Sequence, residues 1–408
     1  MTHDTNIPHG YKATALGIIP QEWEVKKLGE VGKLLSGLTY TPSNIQSDGI
    51  LVLRSSNIQN GVLAFDDNVY VNVSSYTPVK AGDILICVRN GSQNLIGKTA
   101  LITQEAEGCA FGAFMAVFRS PISKYVFYLL GTELYRKYIF RNLGATINSI
   151  NGSDLKKFRF PFPPLAEQRK IAEVLGVWDE AIEKQARLIE TLALRKRALM
   201  QRLLSAKLRL PGFSEPWKTL HIADFAFEIN SRNKSNSPYE VLSCTKYEGL
   251  VSSLKYFGKQ IYSDDLSTYK IVPKNRFAYA TNHIEEGSIG YQSKYDQALI
   301  SPMYTVFGTN PSLINDAFLY KLLKTQKLIY LYKSRMEGSI DRRGGLRWND
   351  FASIKIALPS IEEQTAIAEV LTAADREIEL AKEKLERLRR QKRGLMQQLL
   401  TGKKRVKY

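Results

Sequence analysis

The residues best able to do chemistry in this chain are few, and their spacing is wrong for it. Gly91-Ser92-Gln93-Asn94-Leu95-Ile96-Gly97-Lys98-Thr99 looks like a phosphate-cradling loop, but five residues lie between its glycines. Backbone amides close around phosphates only with about four, so the segment reads as a turn carrying a basic residue. An amino-methyltransferase holds its target amine in an Asn/Asp-Pro-Pro-aromatic loop. Asn310-Pro311-Ser312-Leu313 lacks the second proline and the aromatic, and Phe162-Pro163-Pro164-Leu165 has no Asn or Asp in front. There is no Gly-rich strand-to-helix turn of the dinucleotide or methyl-donor kind, no Gly-x-Ser-x-Gly, and no histidine that pairs convincingly with a nucleophile. His3, His9, His221 and His283 form no pair with metal-ligand spacing, so no metal is expected. Cys87, Cys109 and Cys244 are an odd, scattered set, read as small buried hydrophobes in a reducing compartment. No catalytic residue is assigned, and no cofactor is expected on this chain.

Side chains suited to reading nucleic acid are easier to find. Lys plus Arg is 57 against 40 for Asp plus Glu, a formal net charge of +17 and a pI near 9.5. Such an excess points to a polyanionic partner, nucleic acid first and an anionic membrane second; double-stranded DNA is the partner expected. Guanidinium and amide groups make bidentate contacts to guanine and adenine edges, while lysines and arginines engage phosphates. The candidates in loops are Arg54, Ser56 and Asn57, then Arg89, Asn90, Gln93 and Lys98, and then Asn148. The second half offers Lys246, Tyr247, Asn282, His283, Arg342, Arg343 and Arg347. Asn148-Ser149 stands at roughly the place in the first half that Arg342 to Gly345 take in the second. Arg387 to Tyr408 carries nine basic residues and no acidic one. That segment could touch phosphates, touch a partner subunit or fray in solvent.

The elements that must position these loops come from a duplication. Residues 165–209 and 361–405 align without a gap at an offset of 196, with 21 identities in 45 positions. Both carry apolar residues in alternating steps of four and three. The first stripe is Ile171, Leu175, Trp178, Ile182, Gln185, Ile189, Leu192, Lys196, Leu199 and Leu203. The second is Ile367, Leu371, Ala374, Ile378, Ala381, Leu385, Leu388, Lys392, Leu395 and Leu399. A heptad pattern held this long predicts two long helices packed on each other. The first leaves one variable region and enters the next, so the second must run back antiparallel, a spacer with a variable domain toward each end. The variable regions themselves, about 30–155 and 225–350, are unlike each other. Short apolar runs at Ile50–Leu53, Asp83–Val88 and Tyr304–Phe307 predict strands, and Lys124–Arg136 and Asp316–Tyr332 predict helices. The expected fold class is α+β: two mixed α/β domains (1–160 and 210–357), two antiparallel spacer helices (161–209, and 358–408 with the basic tail), and a pseudo-twofold internal repeat. No run of 18 apolar residues exists and Met1–Gly10 does not resemble a secretory leader, so a cytoplasmic protein without a membrane partner is expected.

The frame resembles a known family. Pro164-Leu165-Ala166-Glu167-Gln168-Arg169-Lys170-Ile171-Ala172, and again Ile361-Glu362-Glu363-Gln364 after a proline, is similar to the conserved helical regions of type I restriction–modification specificity subunits. So are Tyr11-Lys12-Ala13-Thr14 through Gly17-Ile18-Ile19-Pro20-Gln21-Glu22-Trp23, and Gly249-Leu250-Val251 through Ser301-Pro302-Met303-Tyr304. The resemblance implies two target-recognition domains, each reading one half of a split, asymmetric DNA target, and an antiparallel coiled coil between them. It implies a subunit without activity of its own. Its partners would be two methylation subunits that use S-adenosylmethionine and two restriction subunits that use ATP and magnesium. It transfers no base-contacting residue, because recognition domains diverge. Two other readings stay open on the sequence: a stand-alone DNA methyltransferase or nuclease with unrecognised motifs, and a coiled-coil scaffold that reads no DNA.

Overall fold

A computed structural model describes residues 7–143, 148–337 and 345–407. The duplicated sequence folds into two units, Met1–Ala186 with Glu383–Tyr408, and Arg187–Lys382. The two long helices, Leu165–Leu203 and Ile361–Leu399, are each 39 residues. At about 1.5 Å per residue each runs roughly 58 Å, and each begins in one unit and ends in the other. No position of either heptad stripe is exposed.

In the first unit, a four-stranded antiparallel sheet has the order Thr99–Leu101, Ile84–Cys87, Met115–Arg119, Lys33–Ser36. A second sheet runs Ala110–Phe111, Ile50–Leu53, Tyr70–Val71, Ile45–Gln46, its first pair parallel. Glu24–Lys27 pairs with Arg159–Phe162 and so brings the start of the domain to the threshold of the long helix. The core joins Trp23, Phe118, Tyr125 and Phe160 to Ile171 and Leu175 at the start of one long helix and to Leu399 and Leu400 at the end of the other.

The second unit repeats this plan with different residues. Its antiparallel sheet is Ala226–Ile229, Tyr304–Thr309, Arg276–Ala280, Ile289–Gln292. The companion sheet, Gly249–Ser252, Glu240–Thr245, Gln297–Ile300, Lys270–Pro273, again contains one parallel pair. Lys218–His221 pairs with Lys355–Leu358. Phe277, Phe307, Phe318 and Phe351 pack with Ile367 and Leu371 and with Leu203 and Leu204.

The helices pair antiparallel within each unit. In the first, Asp179 meets Lys392 and Glu167 meets Arg405 (2.6 Å). In the second, Lys196 meets Asp375, Arg195 meets Glu377, and Arg209 meets Glu363 (2.7 Å). Lys196 and Lys392, the charged breaks in the stripes, are thus the partners of aspartates one repeat apart. Each aspartate also takes a bond from its own domain: Tyr128 Oη donates to Asp179 (2.8 Å) and Lys321 Nζ to Asp375 (2.6 Å). Burial raises the Asp375 carboxyl, but the bonds and charges of Lys196 and Lys321 outweigh it and hold the group below its usual range.

The two helix starts, Pro163 to Gln168 and Pro359 to Gln364, have a common physical basis. Gln168 Nε2 donates to Pro163 O (2.7 Å) and Gln364 Nε2 to Pro359 O (3.0 Å), which fixes how the chain enters each helix. The buried glutamates Glu167 and Glu363 each receive a bidentate arginine, Arg405 or Arg209. The C-terminal segment is therefore docked rather than frayed, with Tyr11 Oη donating to Gly402 O (3.1 Å).

Two expectations are corrected in detail. The helix expected over 124–136 is two helices, Ser123–Leu129 and Glu133–Asn142, broken where Thr132 caps the second through a bond from Tyr135 N (3.4 Å). The helix expected over 316–332 is likewise Asp316–Leu323 and Gln326–Glu337. In both, an uninterrupted apolar pattern hides a sharp turn that folds two helices onto one sheet.

Candidate nucleic-acid interface

The sheets aim the predicted loops at one another. In the first unit Cys87 is opposite Met115 at the end of the central strand pair. Just beyond it, Val88 N and Arg89 N both donate to Phe114 O (3.0 and 3.1 Å). The returning chain closes the other side: Ile150 N donates to Val88 O (2.8 Å) and Asn90 N to Asn148 O (3.2 Å). Side chains lock the junction. Asn90 Nδ2 donates to Ser55 Oγ (2.9 Å), Asn148 Nδ2 to Gly91 O (2.9 Å), and Asn90 Oδ1 accepts from Ser92 N (2.9 Å). Four segments distant in sequence thus meet, with the exposed Arg89 guanidinium 5.6 Å above the Phe114 ring.

Not every candidate presents a free polar edge. Arg54 is half-buried and bridged to Asp67 (2.8 Å). Ser56 Oγ is buried without a partner. Asn57 is fully buried: its Oδ1 accepts from Arg54 N (2.9 Å) and its Nδ2 donates to Ala64 O (2.9 Å). As placed, Asn57 shapes the turn. Gln93 and Lys98 are exposed along the 92–98 loop, whose Gln93–Leu95 turn leads into the strand Thr99–Leu101 rather than into a helix. A phosphate loop would need that helix N-terminus.

The second unit builds the same junction from other residues. Ala280 is opposite Tyr304, and just beyond it Thr281 Oγ1 donates to Met303 O (2.8 Å). The returning chain donates from Leu346 N to Thr281 O (2.9 Å). Asn282, His283 and Arg347 are exposed around it. Asn282, His283 and Met303 line a cleft of about 380 Å³ together with Tyr262 and Tyr269. His283 Nδ1 lies 3.5 Å from Glu286 Oε1, and with Glu285 these are the ligand-type atoms that come within 4.8 Å of one another among the described residues. Lys246 and Tyr247 occupy the turn between Glu240–Thr245 and Gly249–Ser252. Lys246 Nζ sits 5.4 Å from the ring of Tyr247, which is 85% exposed, and Lys324 Nζ supports the turn by donating to Lys246 O (3.1 Å). Arg342 and Arg343 lie outside the described residues.

Sequence reasoning missed Phe114 and Met303. Each is an apolar residue at the third position of a tight turn and carries no mark in the sequence; the turn and the strand register after it show that both occupy one structural position. The cysteines offer no nucleophile. Burial pushes the Cys87 thiol up to about 11 and the Cys244 thiol to about 12, and raises Cys109 as well, so thiolate is scarce at neutral pH. No helix among the described residues is long and apolar enough to cross a membrane.

Comparison with known proteins agrees with this duplicated plan. The model of the type I restriction modification DNA specificity domain matches residues 20–192 and again 215–390. The chain is similar to the putative type I restriction enzyme MjaX specificity subunit of Methanocaldococcus jannaschii, with 27% identity over 97% of this chain and 97% of that one. It is 33% identical to the type I restriction enzyme EcoKI specificity subunit of Escherichia coli over 39% of this chain and 36% of that one. The fold is similar to that of a crystallised type I restriction–modification S subunit from M. genitalium, with a TM-score of 0.54 at 18% identity, covering 93% of this chain and 96% of that one. The chain therefore belongs to the type I restriction–modification DNA specificity family, as a non-catalytic subunit that recognises the DNA target of such a system.

Proposed function

We propose that each unit reads one half of a split, asymmetric DNA target, and that the paired helices set the distance between the halves. The observation that carries this reading is the loop junction built twice on one register: Arg89, Asn90, Phe114 and Asn148 in the first unit, Thr281, Asn282, Met303 and Leu346 in the second. One frame with two sets of side chains suits two different half-sites. Arg89 and Gln93 are assigned to base edges of the first, on loops that the Asn90 and Asn148 amides hold together, and Asn282, His283, Arg347, Lys246 and Tyr247 to those of the second. Lys98 is assigned to phosphate. By chain segment, 1–160 and 210–357 would carry recognition, and 161–209 and 358–408 the spacing.

The chemistry then lies with partners. Two methylation subunits would bring S-adenosylmethionine to adenines, and two restriction subunits ATP and magnesium, in a cytoplasmic complex. The contribution of this chain is position.

The ruler has a direct test. Seven residues inserted into each long helix, after Ala186 and after Lys382, preserve the heptad phase and add about 10.5 Å. At roughly 3.4 Å per base pair, mapping of methylated sites should show the same half-sites separated by about three more base pairs. Unchanged separation in an active complex contradicts the ruler.

A further inference from the structure

We propose that Phe114 and Met303 are the apolar reading residues of the two units, each pressing on a base-pair edge of its own half-site where a thymine methyl group is presented. The proposal rests on the assignment of these loops to DNA and adds the part of the readout that their polar groups cannot supply.

Both residues occupy the same corner of the fold. Met115 N donates to Gly112 O (2.8 Å) and Tyr304 N to Ser301 O (3.1 Å), so each unit makes a tight turn with Phe114 or Met303 at its third position. Each turn leads into the strand paired with the central strand, and each carbonyl is held from across: Phe114 O by Val88 N and Arg89 N, Met303 O by Thr281 Oγ1. The backbone is fixed, yet the side chains point outward, 56% and 60% exposed. A large apolar side chain held out on an anchored turn contributes little to its own fold, and covering it releases the water ordered around it.

Its neighbours identify what covers it. Phe114 carries the Arg89 guanidinium on its ring, and Met303 shares its cleft with Asn282 and His283. A cation and amides grouped around an apolar tip match a DNA groove, where donors and acceptors flank a methyl. In the major groove the apolar group that separates T·A from the other pairs is the thymine 5-methyl, and apolar side chains read it by contact.

The test uses the full chain assembled with its methylation subunit. Phe114→Ala, Met303→Ala and Arg89→Ala are compared by methylation-site mapping and by binding to the mapped duplex. The first two truncate side chains more than half exposed, so the fold is left in place. Phe114→Ala is expected to relax one A·T position in one half-site by ~10-fold, and Met303→Ala one position in the other. Replacing that thymine by deoxyuridine, which lacks the methyl, should weaken the parent about fourfold, the worth of one buried methyl, and leave the variant unaffected. The proposal is overturned if Phe114→Ala keeps the parental profile while Arg89→Ala alters it. It is also overturned if Phe114→Ala impairs assembly with the methylation subunit instead of base preference, or weakens all sequences equally. If neither Arg89→Ala nor Phe114→Ala changes a half-site, the assignment of the loops to DNA falls with it.

Discussion

Replacing Arg405 by alanine is expected to destabilise the first unit by about 3 kcal/mol, lowering its unfolding midpoint by roughly 6–12 °C for a unit of this size. The reason is Glu167. Its side chain is fully buried, and it accepts from Trp23 Nε1 (3.1 Å) and from Arg405 Nε and Nη2 (2.6 and 2.9 Å). Arg405 also reaches Glu22 (3.0 Å). Removing the arginine leaves a carboxylate in the core with only the indole N–H as partner, and an uncompensated buried charge costs far more than a lost surface pair. The arginine is itself about a third exposed, which places the figure at the lower end of such losses. Arg209→Ala should behave alike in the second unit, where Glu363 accepts from Arg209 Nε and Nη2 (2.7 and 2.8 Å). Combining Arg405→Ala with Glu167→Gln should recover most of the loss, because the stranded charge is gone. Thermal unfolding followed by calorimetry checks both, and an Arg405→Ala protein that melts with the parent contradicts the account.

Gly345→Ala is expected to abolish reading by the second unit while sparing the first. A Cβ at Gly345 would overlap the Thr281 carbonyl and Asn282 Oδ1. The Asn282 side chain can move aside but the Thr281 backbone cannot do so cheaply, since Thr281 O accepts from Leu346 N (2.9 Å) and Thr281 Oγ1 donates to Met303 O. The junction must open, carrying Asn282, His283 and Arg347 away from their common register. Each base pair no longer read costs about 1–3 kcal/mol, so loss of selectivity at one half-site by at least ~100-fold is expected, with unfolding little changed because the strands beneath are intact. Gly91→Ala is the matched control on the first junction: it has open space around it and no left-handed backbone, so recognition should persist. Methylation-site mapping of the two variants decides the matter. A Gly345→Ala protein with both half-sites intact would show that the junction does not position the readers.

The helices were legible in the sequence because burial on a helix is periodic, and the period survives without knowledge of the partner. Lys196 and Lys392 stand in the stripes as apparent faults, and only the pairing explains them: each meets an aspartate of the other repeat. Also legible, as polar turns after apolar runs, were loops that the fold brings together at each junction and that are proposed to read DNA. Their membership was not. Asn57 has the residue type of a reader, but a turn consumed its amide. Phe114 has the type of a core residue, but the turn before the strand Met115–Arg119 holds it outward. The first reversal is made by a turn closed within seven residues, the second by Val88 N and Arg89 N holding Phe114 O from another segment, and composition and spacing encode neither. The sequence of the basic tail leaves three roles open, touching phosphates, touching a partner subunit or fraying; fraying is excluded, because Arg405 is committed to two glutamates far back in sequence.

The account rests on the claim that each unit reads its own half-site. The direct measurement is single-molecule mapping of adenine methylation in a host carrying a chimaera in which residues 1–160 come from another family member, assembled with the methylation subunit. The account predicts that one half-site is replaced by that of the donor, while the other half-site and the spacing stay the same. A chimaera that methylates efficiently with both half-sites altered, or with neither altered, would contradict it.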